Sequence, residues 1–210
     1  MLTKVLMTKL TALGLLALSH TVAATPFKSD ANDVTPLQTG QSIPSVTVTT
    51  MAGDDVALTD VVAKSPTVLV FYRGGWCPFC NQQLASLNEV LGQIRANGYQ
   101  VLAISPDTPE RLAKTKTSEE IDYTLLSDSS LNAISGFKLG FFLDDKTAKR
   151  YRDRMGQVFV TAEGTNKIVL PVPAVYVIQT DGSISYSYYN PNYRERMDTS
   201  ELLKVTAAGS

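Results

Sequence analysis

The chain has 210 residues, 44% of them hydrophobic and 19% charged, with 19 basic against 20 acidic residues and a formal net charge of -1. A chain of this length buries about 70% of the surface its unfolded form exposes, enough for one sizeable core without a second domain. The composition excludes a collagen, a disordered polymer and a nucleic-acid binder. The single histidine, His20, leaves no imidazole elsewhere for a Ser-His or Cys-His pair or for a zinc or haem ligand.

The N-terminus carries Lys4 and Lys9, an apolar run over 10–18 and small residues ending in Val22, Ala23 and Ala24. This is the pattern of a secretory signal peptide over 1–24, and it points to export, to the periplasm if the source is bacterial. The run is far short of the roughly 20 residues that span a bilayer, so no membrane insertion is expected after cleavage. Residues 25–44, polar, proline-spaced and without period, predict a flexible lead-in.

The runs 46–50 and 56–58, around Gly53, Asp54 and Asp55, predict a β-hairpin. Residues 67–72 form a continuous apolar run, which suits a central strand buried on both faces. Cys80, Leu84, Leu87, Leu91 and Ile94 then lie on one stripe of a helix ending near Asn97 and Gly98. A second buried strand over 101–104, a helix opened by Thr108, Pro109 and Glu110, and a third strand over 123–126 follow. The order β, α, β, α, β implies parallel pairing.

Residues 137–170 are less periodic. The runs 175–179 and 183–188 around Asp181 and Gly182 predict an antiparallel hairpin, and 199–206 a short closing helix. The basic residues within 144–154 are interleaved with acids and read as a solvated helix face. Tyr186, Tyr188, Tyr189 and Tyr193 suit sheet-face packing or the surface of a homodimer.

Both cysteines sit in Trp76-Cys77-Pro78-Phe79-Cys80, directly after a buried strand and at the start of a helix. Pro78 suits the first helical position, which places Cys77 at the N-cap, where free backbone N–H groups and the helix dipole stabilise a thiolate. Cys80 lies one turn further in, on the core side, and is the less accessible sulfur. Side chains three apart on a helix are close enough for a reversible Cys77–Cys80 disulfide. As a mere staple so short a loop is worth roughly 2 kcal/mol, against about 3 for a 15-residue loop, so redox use is the better reading and an inert crosslink in a binding module the lesser one. Two thiolates without histidine do not make a zinc site.

The segment 71–80, with Ile104-Ser105-Pro106-Asp107 and 172–178 downstream, resembles the peroxiredoxin-like branch of the alkyl hydroperoxide reductase/thiol-specific antioxidant (AhpC/TSA) proteins over roughly residues 40–206. The resemblance implies a thioredoxin-like α/β fold over 45–206, with a central mixed sheet flanked by helices, and no metal or organic cofactor. It also implies a proline, a threonine and the peroxidatic cysteine at the positions held here by Arg73, Cys77 and Cys80. The family's activating arginine falls near Pro173, where thioredoxins have a cis-proline facing their cysteines.

Two mechanisms therefore compete. In thiol-disulfide exchange, the preferred reading, Cys77 attacks a protein disulfide and Cys80 resolves the product. In peroxide reduction, the alternative, Cys80 attacks the peroxide and Cys77 resolves the sulfenic acid. The partner is a protein dithiol or disulfide in the first case and a peroxide in the second. Arg73 is a candidate anchor for a thiolate or a peroxide oxygen, and Trp76 a candidate apolar lid. No acceptor for the Cys80 proton is visible in the strand before the motif.

Overall fold

The computed structural model describes residues 26–209, so the signal segment expected over 1–24 lies outside the described residues. A hairpin of β1 (Thr47–Thr49) and β2 (Asp55–Ala57) leads into helix α1 (Leu58–Val62) and strand β3 (Thr67–Phe71). Helices α2 (Pro78–Glu89) and α3 (Leu91–Ala96) precede β4 (Gln100–Ser105), and α4 (Pro109–Ser118) precedes β5 (Thr124–Ser127). The predicted single helix is broken at Val90, whose backbone leaves helical geometry at φ -101° and ψ 3°. The Asn88 side chain there bonds to the backbone of Glu120 and Asp122, tying the break to the loop before β5.

The main sheet runs β2-β1-β5-β4-β3-β8-β9, where β8 is Ala174–Ile178 and β9 is Ile184–Tyr189. Strands β3, β4 and β5 are parallel and β8 and β9 antiparallel, as the order of elements and the Asp181-Gly182 turn imply. All five residues of β3 are buried, because helices cover both faces of the sheet. Leu69, Phe71, Leu102, Ile104 and Tyr176 pack against α1 and the region around Phe137. Val68, Val70, Val101, Ala103 and Val175 alternate with them and pack against α2, α4 and helix α7 (Thr199–Ala208). The period of two along each strand thus builds two cores back to back.

The region with least sequence period holds short elements: α5 (Asn132–Gly136), α6 (Asp145–Met155) and a two-stranded sheet of β6 (Gly140–Phe142) and β7 (Val169–Pro171). Asp128 positions α5, its buried carboxyl accepting from the N–H groups of Ala133 and Ile134 at 3.0 and 2.7 Å. Burial raises its pKa to about 6, against the pull of those bonds. Asp128→Ala is expected to lose about 2 kcal/mol in urea unfolding at pH 4. A raised folded pKa makes the wild-type contribution full below the unfolded value and lost as pH rises through about 6, so the loss should be smaller at pH 8.

The segment 26–44 is packed rather than free. Val34, Leu37 and Ile43 are buried in the first core, and the N–H groups of Leu37 and Ile43 bond to the carbonyls of Phe137 and Gly182. Three apolar anchors at irregular spacing leave no period to see, yet each meets a pocket once the sheet is built. The 172–173 peptide bond is trans, as are all bonds among the described residues, in place of the cis-proline implied by thioredoxins. The chain here passes on from β7 to β8, and trans is the lower-energy form of an X-Pro bond by about 0.5–1 kcal/mol.

Candidate active site

The strand-to-helix turn after β3 is made by Arg73, Gly74, Gly75 and Trp76. Gly74 stands at φ +133°, a conformation that side chains disfavour, and a Cβ on Gly75 would lie 1.9 Å from Thr115 Oγ1 of α4. The Gly75 N–H donates to Asp107 Oδ2 at 2.8 Å, and Asp107 in turn holds Arg111 at 3.0 Å. Asn81 Nδ2 donates to the Gly75 carbonyl, so α2 also grips the turn. The buried carboxylate of Asp107, from the Ser105-Pro106-Asp107 segment after β4, therefore aims the helix that carries the cysteines.

Cys77 is the N-cap of α2 and Pro78 its first residue, as the motif predicts. The N–H groups of Cys80 and Asn81 bond to the Cys77 carbonyl. Both cysteines are free thiols and both are buried, Cys77 at 1% exposure and Cys80 at 0%, so the expected contrast in exposure is absent. The difference between them is electrostatic. The Cys80 thiol donates to Cys77 and lowers its pKa to about 6, helped by the Cys80 backbone N–H and the charges of Arg73 and Arg196 against the opposing effect of burial. Burial, followed by the hydrogen bond to Cys77 and then the charge there, pushes the Cys80 thiol well up, while the Arg73 backbone N–H and Arg196 oppose the rise. The two shifts favour a single negative charge on the pair in the neutral range, held mainly by Cys77.

Two guanidinium groups flank this charge. Arg73 is 3% exposed and sits in an aromatic box, 4.2 Å from the Tyr193 ring, 5.1 Å from Trp76 and 5.9 Å from Tyr151. Its Nη2 bonds to Tyr151 Oη at 3.3 Å, and its Nε and Nη1 are buried without a partner among the described residues. Arg196, from the segment after β9, places Nη2 3.5 Å from Cys80 Sγ.

A family model for the AhpC/TSA family matches residues 39–187. The chain belongs to the AhpC/TSA family. It is 26% identical over 156 residues to a putative peroxiredoxin of Mycobacterium tuberculosis, covering 74% of this chain and 87% of that protein. It is 32% identical over 93 residues to peroxiredoxin Bcp of Escherichia coli K12, covering 44% of this chain and 59% of that one. Its fold matches the crystal structure of peroxidoxin BcpB from Mycobacterium tuberculosis with TM-score 0.62 at 18% identity, over 82% of this chain and 97% of that one. It also matches reduced Prx3 of Vibrio vulnificus in complex with hydrogen peroxide, with TM-score 0.65 at 14% identity, over 81% and 99% of the two chains. AhpC/TSA membership makes the chain a thiol redox enzyme on a thioredoxin-like fold.

Within this family frame, Arg73, Trp76, Cys77, Pro78 and Cys80 come together. Pro173 lines a cavity of about 230 Å³ with Arg73, Tyr151 and Tyr193, close to the cysteine turn. Trp76 is half-buried with its ring edge-on to Tyr151 and Phe159 at 5.3 and 5.2 Å, so it wedges α2 against α6 as well as flanking Cys77. Sequence reasoning missed Arg196 and gave Tyr193 to sheet-face packing or a dimer surface, whereas its ring lies against Arg73. Both lie more than 110 residues downstream of the motif in an irregular segment, and only the return of the chain past β9 brings them to the cysteines. The basic stretch within α6 is solvated as expected, with Lys149 paired to Asp153, but Tyr151 turns inward to Arg73.

Proposed function

We propose that the protein is a thiol-dependent peroxidase in which Cys80 attacks the peroxide and Cys77 first holds the proton and then resolves the product. The observation that carries this is the contact of Arg196 Nη2 with Cys80 Sγ at 3.5 Å, with the Cys77 sulfur one helical turn away as the proton acceptor that Cys80 needs. Transfer of that proton leaves Cys80 as thiolate beneath Arg196 and the Arg73 N–H. Its sulfur attacks the near peroxide oxygen, the O–O bond breaks, and the leaving alkoxide takes the proton from Cys77. Cys80 is then a sulfenic acid and Cys77 a thiolate, which forms the Cys77–Cys80 bond as hydroxide departs and is protonated by solvent. The two sulfurs lose two electrons and the peroxide gains them.

The peroxiredoxin names of the relatives support this reading over plain disulfide exchange. Arg73 supports it as well, because two unpartnered guanidinium N–H groups can receive the charge that develops on the peroxide oxygens. The N-terminal pattern supports an exported setting for the same chemistry.

Stopped-flow fluorescence of Trp76, after mixing reduced protein with hydrogen peroxide or with a protein disulfide, tests the reading. A fast signal with peroxide, with both thiols consumed, is the expected result. Reaction with the disulfide alone, and with peroxide no faster than free cysteine, would return the protein to exchange chemistry. The peroxide rate should rise with pH through a midpoint of about 6 and stay level above it, because acid protonates Cys77 and removes the acceptor. A midpoint near the ordinary thiol value would contradict the coupling.

A further inference from the structure

The peroxidase cycle stops at the disulfide unless something reduces it, and the fold holds a second cavity on the Arg196 side of the pair. It measures about 310 Å³ and lies between α2 and the segment that leads into α7. That volume is at the lower end of small-molecule sites. Its lining combines polar groups, Gln83 and Ser86 from α2 with Arg194 and Arg196, and apolar ones, Phe79 and Met197.

Two of its lining residues carry unsatisfied groups. Gln83 is 8% exposed and its Oε1 is buried without a partner among the described residues, as is Arg196 Nε. A buried polar group without a partner is costly, so a lone acceptor and a lone charged donor beside one cavity mark a place for a ligand with both kinds of group. The lining itself is positive, two arginines against the one acid Asp198. Asp198, the acid lining the cavity, is engaged in capping α7 through the Ser200 N–H, and the neighbouring Glu195 is bonded to Asn190 and Asn192. Arg194 stands exposed at the rim, 5.9 Å from the Phe79 ring.

We propose that this cavity binds the reductant, and that the reductant is a low-molecular-weight thiol bearing a carboxylate and an amide. The carboxylate meets Arg194 and Arg196, and the amide N–H meets Gln83 Oε1. The proposal rests on the Cys77–Cys80 disulfide of the peroxidase cycle. Because Arg196 touches both the cavity and Cys80, the incoming thiolate attacks the Cys80 sulfur, a mixed disulfide forms there, and Cys77 leaves as a thiolate. A second thiolate attacks the sulfur of the bound thiol, releasing its disulfide and the Cys80 thiolate. Two electrons pass from two thiols to the protein pair. Cys77 is the better leaving group of the two, as the sulfur at the helix N-terminus.

The disulfide is made with diamide, so that the test does not depend on any reaction with peroxide, and its reduction is followed by Trp76 fluorescence. Glutathione, carrying carboxylates and amides, is compared with neutral 2-mercaptoethanol at equal thiolate concentration. The glutathione rate is expected to saturate and to exceed the other by about tenfold or more, and Arg194→Glu and Gln83→Leu each to lower it about tenfold without changing the 2-mercaptoethanol rate. A glutathione rate that is linear and no faster than that of 2-mercaptoethanol overturns the proposal. So does a glutathione rate that both variants leave intact, or a pair that diamide leaves as free thiols. Failure of the peroxidase reading shows separately, in the peroxide step, with these reduction rates unaffected.

Discussion

Cys80→Ser is expected to bring the reaction with hydrogen peroxide down to the level of free cysteine, a loss of about a thousandfold or more. Positioned donors and proton transfer each contribute about 10²–10⁴-fold, and this variant forfeits both. Cys77 remains, but it has lost the thiol that donates to it, the largest cause of its lowered pKa. Cys77→Ser should behave differently. The nucleophile stays beneath Arg196 and the Arg73 N–H while its proton acceptor is gone, so the rate at pH 7 should fall about a hundredfold and recover as pH rises. Its product cannot be resolved, and a sulfenic acid on Cys80 should accumulate and be captured by a dimedone probe. The reverse pattern, with peroxide activity kept by Cys80→Ser and lost by Cys77→Ser, would exchange the two roles.

Arg73→Met is expected to separate activity from stability. The guanidinium lies over three rings and its Nε and Nη1 are unpartnered, so the fold spends desolvation on a charge that it does not satisfy internally. Methionine fills similar length without charge. The cation–π attraction that is lost and the desolvation that is relieved oppose each other, and urea stability should change by no more than about 1 kcal/mol. The peroxide rate should fall about a hundredfold, as when one donor to a developing anion is removed, and its pH midpoint should move above about 6 because a positive charge has left Cys77. A stability loss that matches the activity loss would make Arg73 a packing residue.

Most of the architecture is legible in the chain because it is written in local periods. The continuous apolar run of β3 marks a strand covered on both faces, the stripe from Cys80 to Ile94 marks α2 and α3, and Asp181-Gly182 marks the closing hairpin. The motif likewise places Cys77 at a helix N-cap, since proline at the first helical position and the strand before it are local facts. Residues 26–44 and the 137–170 region show where this fails. Their apolar anchors have no period of their own and acquire one only from the pockets of a finished sheet.

The sequence by itself determined that two cysteines at the start of a helix are the chemical centre, and that they sit on a mixed α/β sheet. The N-cap position already pointed to Cys77 as the charged sulfur, whereas the groups that surround the charge were decided by tertiary structure. Burial of both thiols and the arrival of Arg196 from beyond β9 depend on contacts over long sequence separations. A pKa responds to charge and solvent within a few ångströms in space, and spacing along the chain cannot report that distance.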